Sequence, residues 1–527
     1  MREENAMRRG NWALFFGKSC GVFAFLACLT IAAQGGEIKL RAPKSSESVA
    51  VQSQEPTLSE DNAAKESSDG KNVAAAKPET GKKSRQASSA QGVERLPIVE
   101  QAALMTVETL IPTKVFDNVE VLRAFCRVPR ENFLPRKRRD VAYSNVEVQL
   151  DCGLVAPTPF SCAYAIQSLN PQPTDRVLVV ETGSGYQTAT LGLLVSEVFS
   201  VSSDRTATKN AAAALKTLKL DNVVCQQVSD VCDGWAEEGP YDKILVTRAV
   251  SEIPKTLTDS LKDGGRIVAP VGDYYRQIWT FVDKKDNTLT ANALIPTRLE
   301  PLVKGTLEKD ARELSLVGGD FEKLDPVPVK AGSPQGENEL SLPVLNPTPE
   351  GWYDAWNVQI AEPDVLYEGS RACRFSNEAV ALEHEKKDRN EERTRAATLP
   401  ENRREATKKD EAIRRGRETE LRASLKQSFG IDASKVKKFE ISGAVRASNL
   451  CPRSSNSSAE VARIEYFDKD RKSLGEEAIL EIPLGETSWQ EFKIDANPPA
   501  RAREALLTIG LFDAIGTVDF DALTITR

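Results

Sequence analysis

The segment Arg176-Val-Leu-Val-Val-Glu-Thr-Gly-Ser-Gly-Tyr-Gln187 decides how the middle of this chain folds. It opens with a short, continuously apolar run, which predicts a strand buried on both faces of a sheet. A glycine-rich turn follows, and residues 188–195 have a pattern typical of a helix. Such a strand, turn and helix bring free backbone N–H groups and the positive end of a helix dipole to one place, where a nucleotide-type ligand can bind.

The sequence on both sides of this segment alternates between strand and helix patterns, from residue 95 to residue 305. Further strands are predicted at 198–201, 223–228, 243–247 and 266–271. This alternation predicts an α/β domain with a parallel sheet that helices cover on both faces.

Several segments of the same region form one ordered set of motifs. They are Arg127-Val-Pro-Arg-Glu-Asn-Phe-Leu-Pro135, Asp140-Val-Ala-Tyr143, Thr182-Gly-Ser-Gly-Tyr-Gln187, Asp221-Asn-Val223, Gly234-Trp235, Pro240-Tyr-Asp-Lys-Ile-Leu-Val-Thr247 and Gly264-Gly-Arg-Ile-Val-Ala-Pro-Val-Gly272. In order and spacing this set resembles the protein-L-isoaspartate O-methyltransferase family. The resemblance implies a Rossmann-like methyltransferase fold that binds S-adenosyl-L-methionine across the strand ends.

The resemblance also implies a reaction and a partner. The family transfers a methyl group from S-adenosyl-L-methionine to the free carboxylate of an isoaspartyl residue in a damaged protein or peptide, and the ester then collapses to a succinimide. A carboxylate is already a nucleophile, so positioning does most of the catalysis. This chemistry suits a chain whose one histidine, His384, lies far from the glycine-rich turn. Mechanisms that need a Ser-His or Cys-His pair are excluded unless His384 serves them.

By this resemblance, one group of residues holds the cofactor. The group consists of Thr182, Gly183, Ser184, Gly185, Tyr186, Ser202 and Asp230. Two positions of the predicted cofactor region, one beside this group and one within it, depart from the family. Glu181 stands where the family has the first glycine of the turn, and Ser202 stands where it has the acidic residue that bonds the ribose hydroxyls. Asp204, two residues further on, is the nearest acidic replacement.

Glu181 adds bulk at a position where the cofactor needs close approach to bare backbone. It also adds a negative charge near the carboxylate of the cofactor, and the two like charges repel each other. We therefore expect Glu181 to obstruct the cofactor. Two hypotheses stay open: a working repair methyltransferase, and an exported, catalytically impaired methyltransferase fold that acts as a binding or scaffold domain.

The predicted substrate loop is Gly153-Leu-Val-Ala-Pro-Thr-Pro159. Against the family pattern, Pro157 replaces the serine that handles the isoaspartyl carboxylate, and proline donates no hydrogen bond. Thr158 carries the nearest hydroxyl and is the candidate catalytic residue. The backbone N–H groups of Val155, Ala156 and Thr158 offer another way to hold a carboxylate. The alternative is that this loop merely closes the domain.

Residues 313–527 show short alternating strands with turn residues between them, which predicts an all-β module. The segments Gly351-Trp352 and Ser488-Trp-Gln-Glu-Phe492 resemble a carbohydrate-binding β-jelly-roll. This resemblance implies a polysaccharide or cell-surface glycan as partner, with Trp356 and Tyr353 as exposed stacking residues. The alternative for Trp352 and Trp489 is a place in the core. A charged stretch, 383–422, interrupts the module and predicts a solvated helix pair.

The N-terminus has two further segments. Residues 1–36 combine basic residues with a short apolar stretch and a small-residue exit, which predicts a signal peptide and export to the periplasm, cell surface or medium. The chain stays cytoplasmic if this leader is not functional, and it contacts a membrane only if the leader is retained. Residues 37–94 contain no aromatic residue and predict a disordered linker.

Composition excludes several other classes. Lys+Arg 70 against Asp+Glu 77 gives a net charge of −7, which argues against a nucleic-acid-binding protein. The nine cysteines contain no Cys-x-x-Cys pair, so neither a zinc nor an iron–sulfur site is predicted. An odd number remains after the leader, which favours free thiols over a disulfide framework.

Overall fold

The computed structural model of the chain describes residues 102–103, 105–113, 115–303, 307, 314–325, 348–360, 366–395, 421–453 and 457–527. The predicted signal peptide, the predicted linker and residues 396–420 of the charged insertion lie outside the described residues. Within these ranges no helix has both the length and the apolar character needed to cross a membrane.

The first part of the chain is built on nine strands. Their bounds are β1 Val148–Gln149, β2 Val155–Ala156, β3 Arg176–Val180, β4 Glu197–Ser202, β5 Val223–Gln227, β6 Tyr241–Val246, β7 Leu261–Gly272, β8 Gln277–Lys285 and β9 Thr288–Thr297. Seven of them form one sheet in the order β5-β4-β3-β6-β7-β8-β9. The strands from β5 to β7 run parallel, and β8 and β9 extend the sheet antiparallel. The α/β Rossmann-like prediction is therefore confirmed, with a mixed rather than purely parallel sheet.

Helices of this part connect and flank the strands. The α-helices are α1 Val119–Arg127, α2 Pro159–Leu169, α3 Tyr186–Gly192, α4 Arg205–Thr217 and α5 Lys255–Asp259. A π-helical turn, Thr106–Leu110, and five 3-10 turns, Ile111–Thr113, Arg130–Phe133, Arg136–Val141, Val231–Asp233 and Ala236–Glu238, complete the set. The helix predicted at 188–195 begins two residues earlier, directly after Gly185.

Strand β3 is the centre of the sheet and sets the position of the site. Its residues 177–180 are fully buried, as the apolar run predicted. Val180 pairs in parallel with Val201 of β4 on one side and with Val246 of β6 on the other. The carboxyl ends of three strands therefore meet at one edge, where residues 181, 202 and 247 are neighbours.

The C-terminal part consists of two antiparallel sheets of five strands each. The strands are β10 Tyr353–Trp356, β11 Val358–Ile360, β12 Cys373–Ser376, β13 Ala423–Gly430, β14 Phe439–Pro452, β15 Ser458–Phe467, β16 Ser473–Pro483, β17 Gly485–Ala496, β18 Glu504–Leu511 and β19 Ala514–Thr526. Their orders are β10-β13-β18-β15-β16 and β11-β12-β19-β14-β17, and one apolar core draws residues from both. The all-β prediction is confirmed. Trp352 lies in this core, whereas Trp489 is only half-buried and packs against Tyr367.

The charged insertion predicted at 383–422 begins as a helix, α6 Glu378–Arg395, a little before the predicted start. The second helix of the predicted pair would fall on residues outside the described part. All seven cysteines after the leader are free thiols, as expected, and Cys126, Cys162 and Cys373 are buried.

A buried ion triplet joins the two parts of the chain. Glu504, at the start of β18, accepts hydrogen bonds from Arg298 at 2.7 Å and from Arg471 at 3.1 Å. The three side chains keep only 2%, 7% and 6% of their surface exposed. Arg471 also donates to the backbone carbonyl oxygen of Leu299 at 2.8 Å. Because each of these charges is removed from water, the triplet holds only while all its members are in place.

We predict that Glu504→Gln destabilises the fold by about 3–5 kcal/mol, since it leaves two buried arginines without a carboxylate. Urea unfolding of the full chain measures this loss. Glu197→Gln is the matched control, because its carboxylate is 51% exposed and pairs with Arg176 at the surface, where such a pair contributes about 1 kcal/mol or less. Equal effects of the two variants would contradict the prediction.

The same triplet predicts a pH dependence. Burial opposes ionisation of Glu504, but Arg298 and Arg471 hold its pKa below the usual glutamate value. A lowered pKa in the folded state gives stability that is present above the pKa of the unfolded chain and is lost as pH falls through the folded value. Acid unfolding of the wild type should therefore be steeper than that of Glu504→Gln, and parallel acid curves would refute this.

Candidate active site

The glycine-rich turn after β3 has the backbone of a ligand-binding loop. Gly183 and Gly185 have φ of 54° and 86°, in the left-handed region that favours glycine. A Cβ at Gly185 would lie 2.8 Å from the Cβ of Ala211 in α4, so this position requires glycine for packing. A Cβ at Gly183 would meet only the Glu181 carbonyl oxygen, at 4.0 Å, so a side chain would have room there and only the left-handed φ requires glycine.

Hydrogen bonds of Thr182 hold this turn against β4. Its hydroxyl lies 2.8 Å from that of Ser200 in β4, which in turn lies 3.1 Å from the hydroxyl of Thr188 in α3. The Thr182 N–H donates to the Val201 carbonyl at 2.9 Å. Among the predicted cofactor residues, Thr182 therefore positions the turn by hydrogen bonds inside the protein.

Glu181 is buried and points along the edge of the sheet. Its Oε1 accepts a hydrogen bond from the Ser202 hydroxyl at 2.6 Å and a longer one from the Gly183 N–H at 3.4 Å. Its backbone has φ of 67°, a left-handed conformation that costs a non-glycine residue about 1–3 kcal/mol. The carboxylate thus lies between the end of β4 and the glycine-rich turn and accepts a hydrogen bond from each. The expectation that it obstructs the cofactor stays a prediction.

The other acidic residues at this edge cap helical turns. Asp204, the nearest acidic residue after Ser202, accepts a hydrogen bond from the Ala207 N–H at 2.7 Å and so caps α4. Asp230 is exposed and accepts one from the Cys232 N–H at 2.8 Å. Glu181 is therefore the carboxylate that lies against Ser202.

The substrate loop is held in place by an arginine that the predictions did not single out. Arg130 is buried, and its guanidinium donates to the carbonyl oxygens of Ala142 at 2.9 Å and Pro157 at 2.8 Å, with longer bonds to Ser144 and Val146. Arg130 belongs to the first motif of the set, which was the signal available in the sequence.

Thr158, the candidate catalytic residue, caps a helix. Its hydroxyl accepts a hydrogen bond from the Ser161 N–H at 3.1 Å at the start of α2. The Val155 N–H donates to Oε2 of Glu300 at 3.2 Å, and Nη1 of Arg248 lies 2.9 Å from the same oxygen. One of the predicted N–H groups therefore does meet a carboxylate, but it is one of the chain's own. The predictions missed Arg248 and Glu300, because 52 residues separate them in sequence and only their packing brings them together.

Three cavities in this region share lining residues. The first, of about 20 Å³, lies between the glycine-rich turn, Arg130, Pro157 and Arg248, and is large enough for about one water molecule. The buried Tyr186 hydroxyl beside it has no hydrogen-bond partner among the described residues. The second, also of about 20 Å³, is lined by Pro157, Arg248 and Glu300. The third is a chamber of about 800 Å³ between the two parts of the chain, and Thr158 lines it.

Comparison with known proteins identifies the first part of the chain. The family model described as Protein-L-isoaspartate(D-aspartate) O-methyltransferase (PCMT) matches residues 100–307. The protein-L-isoaspartate O-methyltransferase of Parvibaculum lavamentivorans is 35% identical over 192 residues, which cover 36% of this chain and 86% of the relative. That of Aeromonas hydrophila is 35% identical over 207 residues, covering 39% of this chain and all of the relative. The chain belongs to the protein-L-isoaspartate O-methyltransferase family.

A solved structure is similar over the same region. It is titled protein-L-isoaspartate O-methyltransferase, is 26% identical in sequence, and the match covers 42% of this chain and 75% of that chain with a TM-score of 0.35. The family model and the two relatives confirm the resemblance to this family over residues 100–307, whereas the comparisons do not name the C-terminal sheets.

The two residues of this chain that were predicted to stack on a glycan lie in different surroundings. Tyr353 is buried, and its hydroxyl lies 2.6 Å from that of Ser428, so the prediction of an exposed stacking residue is wrong there. Trp356 is half-buried and faces the chamber, where its ring lies 5.2 Å from that of Phe160. The alternation of β10 and its pairing with β13 turn the two side chains to different surroundings.

We predict that Arg130→Lys destabilises this O-methyltransferase domain by about 2 kcal/mol or more. The reason is that an ammonium group cannot replace a planar guanidinium group that donates hydrogen bonds to several carbonyl oxygens. Urea unfolding checks the loss. Arg127→Lys is the control, since Arg127 is exposed at the end of α1 and such surface changes stay within about 0.5 kcal/mol. Wild-type stability of Arg130→Lys would disprove the structural role.

Proposed function

We propose that the chain is an S-adenosyl-L-methionine-dependent methyltransferase that acts on isoaspartyl carboxylates of damaged proteins and peptides. Membership of the family supports the reaction class, and the names of the relatives state the substrate. The observation that carries the proposal for this chain is the Glu181 carboxylate, 2.6 Å from Ser202 at the ends of β3 and β4.

In Rossmann-like folds, an acidic residue about 20 positions after the glycine-rich turn bonds the ribose hydroxyls of the ligand. This chain has Ser202 at that place, but the register of β3 and β4 brings residue 181 beside it. Glu181 then supplies the carboxylate from the neighbouring strand. The two departures from the family thus compensate each other, with Glu181 as ribose acceptor and Ser202 as the group that orients it.

The residues around the turn also fit a bound cofactor. A side chain would have room at Gly183, and the Tyr186 hydroxyl beside the first cavity lacks a partner among the described residues. Because that cavity holds only about one water molecule, the residues that would hold the cofactor are those of the strand ends, Glu181, Ser202 and Gly183. When bound, the cofactor supplies a methyl group on a sulfonium, which the substrate carboxylate attacks.

The chain's own residues then position the substrate carboxylate. Arg130 fixes the loop that carries Pro157 against the turn. Arg248 lines both small cavities and pairs with Glu300, so it is a second candidate for holding the carboxylate. The Thr158 hydroxyl, which caps α2, remains the predicted catalytic group.

Binding of S-adenosyl-L-homocysteine to the full chain, measured by calorimetry, tests the proposal. We expect binding to the wild type, and affinity lowered by about 10- to 100-fold in Glu181→Gln, because hydrogen bonds to a charged acceptor contribute about 1.5–3 kcal/mol. The double variant Glu181→Gly with Ser202→Glu should regain most of the affinity, since it moves the carboxylate to the other strand end.

The results have distinct meanings. An absence of binding to the wild type at millimolar ligand would refute the enzyme proposal and favour the scaffold hypothesis. Tighter binding to Glu181→Gly alone would show that Glu181 obstructs the cofactor instead of holding it. Methyl incorporation into an isoaspartyl peptide, with the aspartyl peptide of the same sequence as control, then tests the reaction.

For the rest of the chain, the finer assignments remain proposals. Residues 313–527 are proposed to form a carbohydrate-binding-like jelly roll, supported by two antiparallel sheets around one core. Export by residues 1–36 and the domain limits 95–305 stay predictions from the sequence. The glycan site loses support, because Tyr353 is buried and Trp356 faces the chamber.

A further inference from the structure

Three consecutive residues after β9 bond to both parts of the chain. They are Arg298-Leu299-Glu300, and we call them the connector. Nε of Arg298 donates to Glu504 of β18 at 2.7 Å. The Leu299 carbonyl oxygen accepts a hydrogen bond at 2.8 Å from Arg471, which precedes β16. Both partners belong to the C-terminal part, so the first two residues of the connector are bonded to that part.

The third residue of the connector, Glu300, bonds to the methyltransferase part. Its Oε2 accepts a hydrogen bond from the Val155 N–H, in β2 of the substrate loop, at 3.2 Å. The same oxygen lies 2.9 Å from Nη1 of Arg248, which follows β6. The Arg248 and Glu300 side chains keep 9% and 18% of their surface exposed, so water screens this pair less than a surface pair. One carboxylate oxygen therefore joins the substrate loop to the end of β6.

The backbone of the connector is held along its length. The Leu299 N–H donates to Oε1 of Gln277, a buried side chain of β8, at 2.7 Å. The Glu300 carbonyl oxygen accepts a hydrogen bond from the Ala249 N–H at 2.9 Å. Because each peptide unit is planar, a short segment with bonds at every residue has few ways to move one end and keep the other in place. A displacement at Arg298 therefore also displaces Glu300.

We infer that the C-terminal part sets the position of the substrate loop through the connector, with Glu300 as the positioning residue. Glu300 acts on the reaction through Val155 and Arg248, and this effect rests on the proposed function. Positioning supplies much of the rate enhancement in such chemistry, and a misplacement of about 1 Å costs about 100-fold in rate. The family model matches residues 100–307, so the sheets that hold the connector lie outside the matched region.

Hydrogen–deuterium exchange of the full chain tests this coupling without any need for activity. The readout is the exchange of the segment 150–158, measured by mass spectrometry. Glu300→Ala removes the acceptor of the Val155 N–H, and we expect exchange of the segment to become about tenfold faster. Arg471→Lys keeps a positive charge beside Glu504 but loses the planar group that bonds the connector, so it should also speed up exchange of this segment.

Arg446→Lys is the matched control for Arg471→Lys. Arg446 also lies in the C-terminal part and pairs with a buried carboxylate, that of Asp519, at 2.6 Å. It belongs to β14, in the sheet that does not contain β16 and β18, and makes this bond away from the connector. Exchange of the segment 150–158 in Arg446→Lys should therefore match that of the wild type.

Steady-state methylation of an isoaspartyl peptide tests the effect on the reaction. We expect Glu300→Ala and Arg471→Lys each to raise the KM for the peptide by about tenfold, with the KM for S-adenosyl-L-methionine unchanged. Partial unfolding alone would lower kcat and leave both KM values in place. Glu300→Gln keeps an acceptor for the Val155 N–H, so its peptide KM should lie between those of the wild type and Glu300→Ala. The double variant of Glu300→Ala with Arg471→Lys should be no worse than Glu300→Ala alone, because both act through one connector.

Two outcomes of the exchange measurement would overturn the inference. They are wild-type exchange of the segment 150–158 in Arg471→Lys, and equally fast exchange in Arg471→Lys and Arg446→Lys. A lower peptide KM in Glu300→Ala would also overturn it and would show that Glu300 competes with the substrate carboxylate. If the variants show the expected exchange but the wild type methylates no peptide, the proposed function is refuted and the coupling stands.

Discussion

The buried triplet of Glu504 with Arg298 and Arg471 is the interaction on which the arrangement of this molecule depends. Its members come from β18, from the segment after β9, and from the turn before β16. Their charges are out of water, so the two parts of the chain cannot separate at this point without exposing or orphaning them. The triplet thereby holds the C-terminal sheets against the methyltransferase domain, and Arg471 itself lines the second cavity.

At the strand ends, a different constraint determines what the site can bind. Parallel pairing of β3 with β4 makes residues 181 and 202 neighbours, so a carboxylate on either strand reaches the same region. Read position by position, Glu181 and Ser202 are two losses from the family pattern. Considered as a pair joined by a 2.6 Å hydrogen bond, they keep one carboxylate at that edge. The strain of a glutamate with φ of 67° indicates that the surrounding structure holds it there.

Trp356 of the C-terminal part lies in different surroundings from those that the glycan prediction assumed. Trp356 resembles a sugar-stacking residue when only its type and neighbours in sequence are considered. Its actual partners are Asp354, Arg422 and the methyltransferase residue Phe160. The second part of the chain thus supplies one wall of the chamber and several of its charged side chains.

The sequence by itself determined the strand, turn and helix around Gly183, the alternating α/β order, the family and the all-β character of the C-terminal part. These features depend on local patterns of apolar residues and glycines, which the chain carries within short segments. Only the tertiary structure decided that Glu181 turns toward Ser202, that Arg248 meets Glu300, that Tyr353 is buried and that Trp356 faces a chamber. Those contacts join residues far apart in sequence, and strand register and packing between distant segments fix them, which no local pattern encodes.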